Sequence, residues 1–446
     1  MSAVPVPPDP YRVDPLGAPL DAVVRVPGSK SITNRALVAA VLAPGRSRLE
    51  GVLFADDTEA MLTALTTLGF ALEVDRERET VVVEGGGGAV PVGPVTLDAR
   101  ASGTTSRFLI PLLALGAGPY TLDGSEQLRA RPMADGLAAV ERLGADVVDL
   151  GQPAHLPVRI SGADLGGARA GAEVRVAGAV SSQFLSGLLL AAPCLPRGLT
   201  VLIDGELVSR PYVDMTVAVM AAFGADVDWP DPTTIRVAPT GYQSRTYAIE
   251  PDASAASYFF AAPAIVGGRV TVEGLGTDAV QGDVHFVDAL ELMGATVQRT
   301  PTAITVTGGR ELLGVDVDFT DISDTAQTLA AVAAFADGVT TVTGIGFIRR
   351  KETDRIAAVV HELRACGVGA EELPDGFAVT PRPVHGARIN TYDDHRMAMS
   401  FALLGLRVAG IEIADPGCVA KTFPAFWSVL ESLHAGGNAA TRVPRS

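Results

Sequence analysis

The stretch ASYFFAAPAIVGGRVTVEG (256–274) reads as an apolar helix, a glycine break and a short β-branched strand that ends on another glycine. The same order occurs five more times. It appears in SITNRALVAAVLAPGRSRLEG (31–51), SRFLIPLLALGAGPYTLDG (106–124) and SQFLSGLLLAAPCLPRGLTVLIDG (182–205). It returns in TAQTLAAVAAFADGVTTVTG (325–344) and HRMAMSFALLGLRVAGIEIAD (395–415). The copies stand about 70–80 residues apart, a spacing that marks an internal repeat.

A second unit lies between the copies, an amphipathic helix closing on glycine. It is seen in DDTEAMLTALTTLGF (56–70), RPMADGLAAVERLGADV (131–147), YVDMTVAVMAAFGADV (212–227), GDVHFVDALELMGATV (282–297) and ETDRIAAVVHELRACGV (352–368). Met61, Leu65 and Leu68 form one helical stripe. Gly69, Gly144, Gly224, Gly294 and Gly367 are natural residues for the left-handed turn that ends a helix. KTFPAFWSVLESL stands as the sixth copy. Six units of helix, strand, helix and strands predict two halves of three, with the seam near VAPTGYQSRTYAIEPDAS (237–254). The nearly apolar helices suit a layer enclosed by sheet.

Composition narrows the function. A chain of 446 residues exceeds one ordinary core. At 48% hydrophobic and 19% charged it is a packed globular protein. A net charge of −16 gives no general reason to bind nucleic acid or an anionic membrane. Cys194, Cys366 and Cys418 are far apart and form no C-x-x-C pair, which fits a reducing, cytoplasmic setting. The histidines show no ligand spacing, so no metal is expected. The proline-rich start is not read as a signal peptide, no membrane span is expected, and HAGGNAATRVPRS reads as a loose tail.

The apolar helices open on polar residues: Gly28-Ser29-Lys30-Ser31, Ser102-Gly103-Thr104-Thr105, Ser181-Ser182-Gln183, Asp252-Ala253-Ser254, Asp321-Ile322-Ser323-Asp324 and Asp393-Asp394-His395-Arg396. Any one of these is an ordinary N-cap. Several turned toward one cleft would favour an anion, through unsatisfied N–H groups and the helix dipole. The chain carries 35 basic residues, of which Lys30, Lys351 and Lys421 alone are lysine. Arg35, Arg131, Arg355 and Arg396 also lie at or beside helix starts. Arg makes planar bidentate contacts, whereas Lys is a compact charge whose pKa can shift. A small polyanionic ligand fits this pattern. GSKS lacks the glycine spacing of a P-loop.

VPGSKSITNRAL, SGTTSRF, RARPM, VSSQFLSGLL, LVSRPYVDMT, EPDASAASYF, QGD, RRKETDRI, YDDHRMAM and DPGCVAKTFP run in order from residue 26 to about 427. Together they resemble the 5-enolpyruvylshikimate-3-phosphate synthase family of enolpyruvyl transferases. The resemblance implies an α/β (α+β) fold, an inside-out α/β barrel of two domains that close like a clamp, each built of three βαβαββ units. It implies domains at 26–248 and at 1–25 plus 249–446, with hinges near 20–30 and 240–250. The implied reaction moves the enolpyruvyl group of phosphoenolpyruvate to the 5-hydroxyl of shikimate 3-phosphate through a tetrahedral intermediate, without cofactor or metal. The enzyme is expected to be a monomer.

By that resemblance shikimate 3-phosphate meets Lys30, Ser31, Arg35, Ser181, Ser182, Gln183, Ser209, Tyr212, Asp324 and Lys351. Phosphoenolpyruvate meets Lys30, Gly103, Arg131, Gln183, Arg355, Arg396 and Lys421. Asp324 matches the family's base and Glu352 its proton donor, and Lys30 and Lys421 could share proton transfers. Ala101, Phe108 and Phe347 depart from the common pattern, which bears on substrate affinity and on the response to glyphosate. Two alternatives stay open: the related UDP-N-acetylglucosamine enolpyruvyl transferase, and a binding protein on the same fold that catalyses nothing.

Overall fold

The structure is a computed structural model and describes residues 7–91, 93–162, 173–178 and 182–435. Ser181 lies outside the described residues. The chain divides into two units, Gly28–Ile249 and Met1–Pro27 with Glu250–Ser446.

In Gly28–Ile249 three buried helices form the centre: Lys30–Leu42, Gly103–Ala114 and Ser182–Ala191. The second of these is buried along its whole length. The amphipathic helices Asp56–Leu68, Ala134–Arg142 and Arg210–Ala222 accompany them. Among its described residues the unit holds three four-stranded sheets of one design. In each, a first strand runs parallel to a second, a third strand pairs antiparallel with the second, and a hairpin partner completes the edge. Val95–Asp98 and Tyr120–Asp123 are such a parallel pair, and Tyr120–Asp123 continues antiparallel to Val158–Ser161. A parallel pair needs a long crossover, and the intervening buried helix supplies it.

The other unit repeats the design. Ala253–Val266, Ala326–Ala333 and His395–Gly405 are its buried helices. Phe259 and Phe260 are fully buried there, and loss of such a ring costs about 3–5 kcal/mol. Each unit has its own hydrophobic core.

Two strands come from far along the chain. Leu20–Val24 lies parallel to Gly268–Glu273 with Val24 opposite Val272. Tyr11–Val13 pairs antiparallel with Ile411–Ile413, the place that a repeat's own return strand fills elsewhere. In Gly28–Ile249 the corresponding parallel strand is Thr246–Ala248, beside Pro44–Glu50.

The five glycines predicted to end the amphipathic helices all have φ between 84° and 108°. In each case the next residue's N–H reaches back five residues, as Phe70 does to Leu65 and Val368 to Leu363. That bond satisfies a carbonyl the helix leaves open, and glycine takes the left-handed turn without a Cβ clash.

Candidate functional site

In the unit formed by residues 1–27 and 250–446, the starts of the helices bring acids and bases into one network. Asp324 sits in the short turn ahead of Ala326–Ala333. Its carboxylate accepts from Lys351 Nζ at 2.7 Å, Arg355 Nη1 at 3.0 Å and Arg396 Nη2 at 2.7 Å. Arg355, the first residue of its helix, donates to Asp394 at 2.7 and 3.3 Å and to Glu352 at 2.9 Å. Lys421 Nζ holds the other oxygen of Glu352 at 3.1 Å. Asp394 caps its own helix by accepting from the Arg396 N–H at 2.9 Å. All six residues expected here, Asp324, Lys351, Glu352, Arg355, Arg396 and Lys421, therefore belong to one hydrogen-bonded cluster.

The charges reshape one another. Burial alone would raise the Asp324 carboxyl, but Arg396, Lys351 and Arg355 outweigh it and hold Asp324 well below the usual carboxylate range. Burial pushes the Lys351 ammonium down, against the pull of Asp324. The Arg355 guanidinium, despite its burial, is raised by Asp394, Glu352 and Asp324. Asp283, from the QGD stretch, is buried and accepts from Ser254 Oγ. Burial, and then the charge of Asp324, push its carboxyl up to about 6.

In Gly28–Ile249 the helix starts gather cations. Ser29 caps Lys30–Leu42 by accepting from the Ile32 N–H. Lys30 Nζ stands 3.3 Å from Asp57 Oδ2, and both side chains are largely buried. Gly103 lies in a nest of polar ends. A Cβ there would meet Arg107 Nη1 at 2.8 Å, Arg131 Nη1 at 3.0 Å and Gln183 Oε1 at 3.7 Å. Arg107 Nη1 donates to Gln183 Oε1 at 2.7 Å, and Gln183 Nε2 donates to Thr104 Oγ1 at 3.2 Å. Three of the residues expected at phosphoenolpyruvate thus come together, with Arg107 as a fourth.

Arg35 is turned inward. Its guanidinium donates to Thr216 Oγ1 at 2.7 Å, Ser31 O at 2.8 Å, Ser186 Oγ at 3.2 Å and Tyr212 O at 3.1 Å. It ties three helices together through neutral acceptors. Burial pushes it down to about 10, so it stays protonated at neutral pH. Tyr212 enters this cluster through its carbonyl. Ser182 opens its helix, and Ser209 precedes Arg210–Ala222 with φ 56°. Two of the departures from the family pattern face cations: Phe108 lies under Arg35 at 5.2 Å and Phe347 beside Lys351 at 5.8 Å.

Sequence reasoning missed Arg107, Asp57 and Asp283 as members of these clusters. Arg107 had a legible signal, since it follows Gly103 by four residues on one helix face. Asp57 read only as an acidic first turn of an amphipathic helix. Among the described residues no group of acids, histidines and cysteines has the arrangement of a metal site, and no helix is long and apolar enough to cross a membrane.

Repeated α/β units whose buried helices open on clustered cations and carboxylates have the chemistry that a small polyanionic ligand requires. Residues 16–430 match the family model for EPSP synthase (3-phosphoshikimate 1-carboxyvinyltransferase). The 3-phosphoshikimate 1-carboxyvinyltransferase of Trichormus variabilis is 43% identical over 421 residues, 94% of this chain and 98% of the relative. That of Methanoculleus marisnigri is 43% identical over 422 residues, again 94% and 98%. The EPSP synthase of Acinetobacter baumannii superposes with a TM-score of 0.81 at 26% identity, over 96% of this chain and 98% of that one. The chain belongs to the EPSP synthase family.

Proposed function

We propose that this protein transfers the enolpyruvyl group of phosphoenolpyruvate to the 5-hydroxyl of shikimate 3-phosphate and releases phosphate. Family membership gives the reaction, and the Asp324–Arg355–Glu352–Lys421 network is the observation that carries it to these residues. In the addition step the 5-hydroxyl oxygen bonds to C2 of phosphoenolpyruvate. Its proton passes to Asp324, and Glu352 delivers a proton to the methylene carbon. In the elimination step that carbon returns a proton to Glu352, the double bond re-forms as the C2–O bond to phosphate breaks, and the departing phosphate takes the proton held by Asp324. Lys30 and Lys421 can share these transfers as ammonium groups.

Asp324 is a weak base while three cations hold it. Anionic substrates that engage Lys351 and Arg396 would draw those cations away and raise its basicity. Substrate binding thereby readies the base. Arg131, Arg355, Arg396 and Lys421 with Gly103 and Gln183 take phosphoenolpyruvate, and clustered cations stabilise the departing phosphate. Ser31, Ser182, Ser209, Tyr212 and Lys351 take shikimate 3-phosphate. Arg35 contributes there chiefly as a buried positive charge with neutral acceptors, which favours an anion nearby. The enzyme works in the cytoplasm as a monomer.

The test is phosphate release on mixing both substrates, with each alone as control. Release only with the pair supports the reading. No release from folded protein that binds both removes it in favour of a non-catalytic binder.

A further inference from the structure

The helix Arg355–Ala365 meets the segment ahead of His395 at two points. At its start Arg355 holds both carboxylate oxygens of Asp394, at 2.7 and 3.3 Å. Seven residues on, two turns along the same face, stands Glu362. It is fully buried and accepts from the Asn390 backbone N–H at 3.2 Å, Asn390 Nδ2 at 3.4 Å and the Tyr392 hydroxyl at 2.6 Å. Among the described residues the basic group within 4.0 Å of it is the exposed His361, through Nε2. A buried carboxylate without a close cation is costly unless donors satisfy it, and this segment supplies three.

Between the two points the backbone is forced. Tyr392 and Asp393 both have φ of 55°, a left-handed conformation that side chains other than glycine rarely adopt. The Tyr392 residue is partly exposed, and its hydroxyl bond to Glu362 ties the ring to the helix. Burial, then the hydrogen bond and charge of Glu362, push the phenol well up, so it remains a donor at working pH. The forced turn lets Asp394 face Arg355, and Arg396 Nη2 reach Asp324 at 2.7 Å.

We infer that Glu362 is a positioning residue of the transfer reaction. By holding Asn390 and Tyr392 it keeps the left-handed Tyr392–Asp393 pair in place and sets Asp394 and Arg396 against Arg355 and Asp324. It touches no substrate and acts through the strained turn. The inference rests on the proposed transfer.

The test uses the full chain with Tyr392→Phe, Glu362→Gln and Tyr392→Phe/Asp393→Gly. Loss of a hydrogen bond to a buried charge should lower kcat/KM for phosphoenolpyruvate by about tenfold in each single variant. Shikimate 3-phosphate binding should change by less than about threefold, since its other contacts remain. Glycine at 393 accepts the left-handed conformation freely, so the double variant should recover most of the lost kcat/KM. A purely structural tie predicts otherwise: lower melting temperatures with kcat/KM within about twofold of wild type, or no recovery in the double variant. Either result overturns the inference. If wild type releases no phosphate, the proposed function fails by itself, and amide exchange of residues 390–396 then decides. Faster exchange confined to this segment in Tyr392→Phe shows that Glu362 holds the turn whatever the reaction, and unchanged exchange overturns the inference.

Discussion

Gly103→Ala tests the proposed anion-binding role of one methyl-sized space. Gly103 opens Gly103–Ala114 and its backbone is not left-handed, so alanine meets no conformational strain. Alanine is also the better helix former, by up to about 1 kcal/mol. The new Cβ would lie 2.8 Å from Arg107 Nη1 and 3.0 Å from Arg131 Nη1. Ordinary non-bonded contact is about 3.5–4.0 Å, so each guanidinium end must retreat by roughly 0.5–1 Å. A hydrogen bond to a charged group contributes about 1.5–3 kcal/mol, and losing one such bond to phosphoenolpyruvate corresponds to about 10- to 100-fold in affinity. The expected outcome is a KM for phosphoenolpyruvate raised by that factor, with the KM for shikimate 3-phosphate and the melting temperature little changed. Phosphate release at saturating shikimate 3-phosphate and varied phosphoenolpyruvate measures it. An unchanged KM for phosphoenolpyruvate would refute the reasoning, as would an equal loss for both substrates.

Glu352→Gln should bind both substrates yet turn over at least about a hundredfold more slowly, as expected when a general acid is lost; single-turnover kinetics checks this. Lys30→Met should abolish most activity and also destabilise the protein by about 3–5 kcal/mol, because Asp57 keeps a buried charge with its Lys30 partner gone. Adding Asp57→Asn should restore the melting temperature but not the activity. For Asp283, whose folded pKa is raised to about 6, the stabilising contribution is full below its unfolded value near 4 and is lost as pH rises through 6. Wild type should therefore lose on the order of 2–3 kcal/mol relative to Asp283→Asn across that window, measured by urea unfolding at pH 4, 6 and 8.

The repeats were legible because helical period, glycine stops and β-branched runs are local signals, and each recurs six or five times. Tyr11–Val13 was not legible: three residues carry no periodicity, and their partner lies 400 residues away. The helix starts could be read individually, and the family motifs marked the residues expected at the substrates. What the residues alone did not give was convergence. Asp324, Arg355 and Asp394 meet through packing of segments far apart in sequence. The resemblance places Arg35 at shikimate 3-phosphate, and only the placement of Ser186 and Thr216 reveals its inward bonds. Glu362 looked like one polar residue on an amphipathic helix, and nothing local distinguishes it from a solvated one.

The two early strands also set an order of events during synthesis. Leu20–Val24 leaves the ribosome long before Gly268–Glu273, its partner. At about 5–20 residues per second, it waits roughly 10–50 s for that strand, and Tyr11–Val13 waits longer still for Ile411–Ile413. Residues 28–249 have all their strand partners by then and can fold first, as a continuous insertion in the other unit. The early segment spends that interval with open edges, where mispairing is the hazard. Proline-rich flanks, which cannot extend a sheet, limit it: Pro7, Pro8, Pro10, Pro15 and Pro19 surround these two strands.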